Sequence, residues 1–222
     1  MSGLFVTILL GLYSVLVLTN LLSSVPLTIL YTYHPLFMLA FYLFSNLSLH
    51  YAQSIRGKLP KIERERLTQK HALFNWLAVI SALVGAVVIF VNKENSKKKH
   101  WQTIHSYFGT ATITLYLFQS FGGVVLYQTP KLFKYIKFHR LNGYAVYLAM
   151  TATHGSAVIF GYAGFKDYEF ARYFMLALLA VTGILAMRPI ERRMLPSMKK
   201  SRGSVERDST RSGDAQDLLE HE

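Results

Sequence analysis

The 222-residue chain contains no cysteine. That absence excludes disulfide scaffolds, iron–sulfur clusters, thiolate-ligated haem and covalent haem attachment through a C-x-x-C-H motif. Charge is scarce as well: 16% of residues are Asp, Glu, Lys or Arg, against roughly 25% in soluble domains. No charge precedes Arg56. What the chain has instead is apolar residues, 52% of the total, too many for a disordered chain. A formal net charge of +12 could serve nucleic acid. Here, however, the basic residues form short clusters between long apolar runs, the pattern of loops flanking membrane helices. The expected partner is membrane lipid, not nucleic acid.

A helix crossing the hydrocarbon core needs about 20 residues, so the gaps between charges serve as a ruler. The uncharged residues 1–55, interrupted by Ser23, Ser24 and Pro26, hold two spans near 4–22 and 35–54. Twenty-two uncharged residues separate Lys70 from Lys93, 31 separate Lys99 from Lys131, and 25 separate Arg140 from Lys166. The last gap, Arg172 to Arg188, is 15 residues and spans if its helix starts near Glu169 with the end charges snorkelling. The expectation is an all-α, six-transmembrane-helix membrane domain over residues 1–195, followed by a disordered cytosolic tail over 196–222.

Lys and Arg favour the cytosolic side. The 56–70 loop, the 131–140 loop and the tail carry eighteen of them, and the opposite side carries six, Lys93, Lys97, Lys98, Lys99, Lys166 and Arg172. Both termini are therefore expected in the cytosol. The start of the chain reads as a retained first span.

Four of the eight histidines, His34, His71, His105 and His139, fall at intervals of 37, 34 and 34, each at the start of one of spans two to five. Because successive spans run in opposite directions, His34 and His105 share the outer level, and His71 and His139 share the inner level. Two histidines at one depth on alternate helices suit a bis-imidazole haem, and the arrangement occurs twice. The plainer reading is interfacial histidines bonded to headgroups or neighbouring helices. Zinc is a weaker rival metal, since there is no cysteine and no carboxylate inside a span. His154 can reach the outer level and competes as a ligand, while His50 faces elsewhere.

Gly109 and Gly143 follow His105 and His139 by one turn, and Gly85 and Gly123 approach the faces of His71 and His105 at the opposite levels. All four could make room for porphyrin. Close helix packing explains any one of them equally well.

The stretches YHPLFM, QKHALFNWLAVISALVG, TIHSYFG and KFHRLNG around the four histidines resemble the cytochrome b561 family, in particular its shorter, domain-containing branch. The resemblance covers roughly residues 30–190. It implies two non-covalent haem b groups between the central four helices, the outer one on His34 and His105 and the inner one on His71 and His139, with no catalytic residue beyond the haems. The implied activity is that of a transmembrane ascorbate-dependent reductase in an endomembrane or vesicle membrane. Electrons would pass from cytosolic ascorbate to monodehydroascorbate or a ferric chelate on the opposite side. A homodimer is also implied. Arg66, Lys70, Lys134, Lys137 and Arg140 flank the inner histidines and suit an anionic donor or the haem propionates. Asn75 stands where a second histidine is often found, Tyr107 where tryptophan is usual, and LSLHYAQSIRG replaces the usual basic-aromatic stretch. Two other readings stay open: a haem carrier fed by a quinol or partner reductase, and a non-haem polytopic transporter whose histidines handle protons or metal.

Overall fold

The structure is a computed structural model that describes residues 3–55, 59–160 and 169–186, with side chains from residue 8 onward. The described residues are helical without strands: α1 (Gly3–Ser24), α2 (Tyr33–Ser54), α3 (Lys61–Asn95), α4 (Ile104–Gln128), α5 (Ile136–Ile159) and α6 (Glu169–Ala186). They belong to one compact unit, Met1–Ala186. The expected tail over 196–222 lies outside the described residues, as do Arg56, Lys58 and Lys166.

Local sequence explains where the helices begin. Pro35 sits in the first turn of α2, where a missing N–H leaves no intrahelical bond unmade. At α4, the Thr103 hydroxyl accepts from the Ser106 N–H at 3.2 Å and the Ser106 hydroxyl accepts from the Thr103 N–H at 3.2 Å. This reciprocal cap fixes His105 in the first turn. A 3-10 segment, Pro130–Tyr135, leads into α5 and leaves His139 one turn inside it.

One boundary differs from the expectation. The 56–70 segment is not all loop, because α3 starts at Lys61, well before the apolar run. Its first turns are charged and exposed, with Lys61 and Glu65 3.9 Å apart and Thr68 Oγ1 donating to the Arg64 carbonyl at 2.9 Å. A charge ends the hydrocarbon-compatible stretch without ending the helix.

Three helices, α3, α4 and α6, are each long and apolar enough to cross a membrane. The more polar α2 and α5 turn their polar side chains inward, burying Ser45, Asn46 and Ser48 on α2 and Thr153 on α5. These groups are bonded rather than orphaned: Tyr147 Oη donates to Asn46 Oδ1 at 2.7 Å, Asn46 Nδ2 to the Tyr42 carbonyl at 2.8 Å, and Ser45 Oγ to Tyr116 Oη at 3.1 Å. Buried polar groups need such partners where water is excluded. Large apolar side chains such as Phe118 and Ile184 face outward instead, 72% and 63% exposed, as expected of a surface solvated by lipid. The core is aromatic: Phe41 meets Tyr116 edge to face at 4.9 Å, and Tyr13 meets Tyr42 at 5.6 Å. α2 and α3 form the most closely packed pair, followed by α4 and α5.

Candidate functional site

Each of the four helix-start histidines is held by a residue of the helix it packs against. His34 Nδ1–H donates to the Gly85 carbonyl of α3 at 2.8 Å. In return, His71 Nδ1–H is shared between the Ser48 carbonyl and the Ser48 hydroxyl of α2, both at 2.9 Å, and that hydroxyl donates to the His71 carbonyl at 3.2 Å. The second pair of helices repeats the exchange with side chains. His105 Nδ1–H donates to Ser156 Oγ of α5 at 3.0 Å, the Ser156 proton being committed to the Thr153 carbonyl at 2.7 Å. Gln119 of α4 donates through Nε2 to the His139 carbonyl at 2.8 Å and lies 3.4 Å from His139 Nε2.

These partners fix the tautomers. A carbonyl only accepts, so His34 and His71 carry their protons on Nδ1; the committed Ser156 hydroxyl imposes the same on His105. An amide nitrogen only donates, so the His139 nitrogen facing Gln119 carries the lone pair. In all four rings Nε2 is therefore the basic nitrogen. Imidazoles that ligate metals usually show this pattern with the other N–H bonded to a fixed acceptor, as in His34, His71 and His105; in His139 it is Nε2 that faces a partner, the Gln119 amide.

The histidines come together by level. His34 and His105 line one cavity of about 420 Å³, within the size range of cofactor sites. Gly109 is part of its wall, with room for a Cβ 3.8 Å from Thr153 Cγ2. His71 and His139 are likewise within electrostatic reach of each other. Among the described residues no group of three or more His, Asp or Glu side chains forms a metal cluster; the imidazoles meet as pairs.

His154 also lines the outer cavity. Its ring, 4.7 Å from that of Tyr42, sets Nδ1 2.9 Å from the Met150 carbonyl and Nε2 3.0 Å from the Met38 carbonyl. Both nitrogens are turned to backbone, and neither is presented to the cavity. His50 is exposed beside Tyr51.

Three of the four glycines serve side chains or helix contact rather than an open space. A Cβ at Gly85 would run into Met38 Cε and come within 3.2 Å of Phe37 Cβ. One at Gly123 would lie 2.9 Å from His139 Cε1, and one at Gly143 would lie 3.0 Å from Gln119 Nε2. They let α2 approach α3, seat the His139 ring and seat the Gln119 amide, respectively.

The basic residues near the inner level are spread along its rim. Lys70 sits 5.4 Å over the Tyr51 ring, Lys134 5.1 Å over Tyr135 and Lys137 5.0 Å over Phe138; Arg66 and Arg140 are exposed, the latter within electrostatic reach of His139. At the outer mouth, Lys93, His100 and Trp101 line the cavity. His100 pairs with Glu94 at 2.7 Å and stacks on Phe90, and Trp101 takes a positive φ of 49° while donating to Thr110 Oγ1 at 3.1 Å.

Sequence reasoning did not find the holding residues Ser48, Ser156 and Gln119. The signal was an offset. Ser48, Gly85 and Gln119 each stand fourteen residues after His34, His71 and His105, a step that returns a helix to within about 40° of the same face some 21 Å further on. One face thus carries a histidine at one level and the holder of another histidine at the other.

No curated protein matches the chain at a significant level. The family model for eukaryotic cytochrome b561 matches residues 33–162, more than half of the chain and the stretch holding all four paired histidines. The protein belongs to the cytochrome b561 family, membrane-integral oxidoreductases that move electrons across the membrane through haem b.

Proposed function

We propose that the chain crosses the membrane six times, binds two haem b groups, and transfers electrons from cytosolic ascorbate to monodehydroascorbate or ferric iron on the far side. In this reading His34 and His105 ligate the outer haem and His71 and His139 the inner one, with both termini in the cytosol of an endomembrane. The observation that supports it is the pairing of imidazoles at two levels, with the Nδ1–H of His34, His71 and His105 bonded to fixed acceptors so that Nε2 is their basic nitrogen. Bound haem supplies reversible one-electron exchange at its iron.

The chain's own residues do the rest. Nδ1–H bonds orient the His34, His71 and His105 rings, and those to the Gly85 and Ser48 carbonyls strengthen His34 and His71 as donors to iron. The aromatic core excludes water between the levels. On the cytosolic rim, Lys70, Lys134, Lys137, Arg66 and Arg140 attract the ascorbate anion, which gives up one electron and one proton to become monodehydroascorbate. On the opposite face Lys93 and His100 stand at the cavity mouth for an anionic acceptor: monodehydroascorbate takes one electron and one proton, or chelated ferric iron takes one electron.

The test is the purified protein's spectrum with and without ascorbate. A b-type spectrum reduced by ascorbate alone supports the reading. A haem spectrum that only a quinol or partner reductase can reduce moves the donor to those classes. Protein saturated with haem precursor yet lacking any haem band defeats it.

A further inference from the structure

His139 is met by a side-chain amide of the neighbouring helix, that of Gln119. Gln119 is held at both ends: its Oε1 accepts from Asn142 Nδ2 at 2.8 Å, and its Nε2 donates to the His139 carbonyl at 2.8 Å. Two glycines make the assembly fit. The His139 ring lies against Gly123, and the Gln119 amide lies against Gly143, with no space for a Cβ at either without displacement. Helices α4 and α5 thus interlock, a ring from one in the hollow of the other and an amide in return.

The amide is more than packing. Because Asn142 donates to its oxygen, its nitrogen is turned toward His139, 3.4 Å from Nε2. At that length the contact is a weak hydrogen bond, too weak to hold the nitrogen against a metal, yet a donor there disfavours a proton on Nε2 and so selects the Nδ1–H tautomer. We infer that Gln119, oriented by Asn142, is the positioning residue of the inner haem site, seating His139 through the bond to its carbonyl and giving up the 3.4 Å contact on Nε2 when iron takes that lone pair. The inference rests on the proposed ligation by His71 and His139. Gln119 acts through His139 at the inner level, and the outer pair, held from Gly85 and Ser156, does not depend on it.

The experiment uses the full chain with both haems, read by electron paramagnetic resonance of the low-spin ferric signals and by redox titration. The signal lost in His71→Ala identifies the inner haem. Gln119→Leu, close in volume and without hydrogen bonds, is expected to shift the inner signal and potential and to weaken retention of that haem about tenfold, the lower end of what outer-shell partners contribute. The outer signal stays as in the unaltered protein and certifies folding. Asn142→Leu, at an exposed position, is expected to move the inner signal the same way by less, and to add nothing on top of Gln119→Leu. Should Gln119→Leu fail to fold, Asn142→Leu alone decides. An inner signal, potential and retention unchanged in the folded variants overturns the inference, as do equal shifts of both haems. If the unaltered protein holds no inner haem, the ligand assignment fails instead.

Discussion

The two central helix pairs solve one problem with different materials. α2 and α3 pack closely and hold each other's histidines with main-chain carbonyls, Gly85 for His34 and Ser48 for His71. α4 and α5 are packed less closely and use side chains, Ser156 for His105 and Gln119 for His139. A carbonyl on a helix needs close approach, so α3 has glycine at residue 85, where α2 runs against its backbone. A side-chain holder can bridge a wider gap but is lost by a single substitution. Each proposed haem takes one ligand from each pair, so both sites combine a backbone-held and a side-chain-held imidazole.

The largest expected effect ignores the difference between the pairs. His71→Ala or His139→Ala should remove one haem and spare the other, read as haem per protein and as loss of one low-spin signal; loss of both haems from each folded variant would argue against separate sites. Next comes the packed pair. Gly85→Val puts a branched side chain against Met38 and Phe37, and overpacking of this kind costs about 1–3 kcal/mol. A lowered thermal midpoint and weakened outer haem are expected, and a neutral Gly85→Val would show that the close approach is unnecessary.

The holders themselves give a finer contrast. Ser156→Ala removes a side-chain acceptor, although His105 also interacts with the Thr153 main chain, and it should raise the outer haem's potential because a less basic imidazole stabilises ferric iron less. Ser48→Ala removes the hydroxyl 2.9 Å from His71 Nδ1 but leaves the Ser48 carbonyl in place at the same distance, and should move the inner one less. A shift from Ser48→Ala as large as that from Ser156→Ala would erase the distinction between backbone and side-chain holders. The smallest effect is expected at the middle of the bundle. Tyr147→Phe deletes the bond to Asn46 and should cost about 0.6 kcal/mol, the average for interhelical hydrogen bonds in membranes, with both haem spectra intact.

Much of the fold is legible in the sequence because charge is excluded from hydrocarbon. The gaps between Lys and Arg mark the apolar stretches, and α4, the end of α2 and the start of α5 fall close to those marks, while Ser23, Ser24 and Pro26 mark the break between α1 and α2. The start of α3 is not legible that way, since residues such as Glu63 and Arg66 extend a helix outside the hydrocarbon as readily as they end a span. The four histidines stand out because imidazole is rare and costly at those depths. Their holders do not: Ser48 and Ser156 are ordinary in a membrane helix, Gln119 is one neutral amide, and the Gly85 acceptor belongs to the main chain. Only the fourteen-residue offset ties Ser48, Gly85 and Gln119 to the histidines, and it has meaning once the helices are known to pair antiparallel; Ser156, seventeen residues after His139, falls outside it. The glycines show the same limit. Spacing brought them near the histidine faces, but whether porphyrin, a ring or a neighbouring helix fills the space depends on the packing.

The central claim is that paired imidazoles at two levels make two haem sites. Its most direct test is the haem-to-protein ratio of the purified chain, taken together with a redox titration in ascorbate. Two haems per chain are expected, both low-spin and bis-histidine, titrating as two one-electron steps. A single haem per chain, or one that survives substitution of all four of His34, His71, His105 and His139, would contradict it.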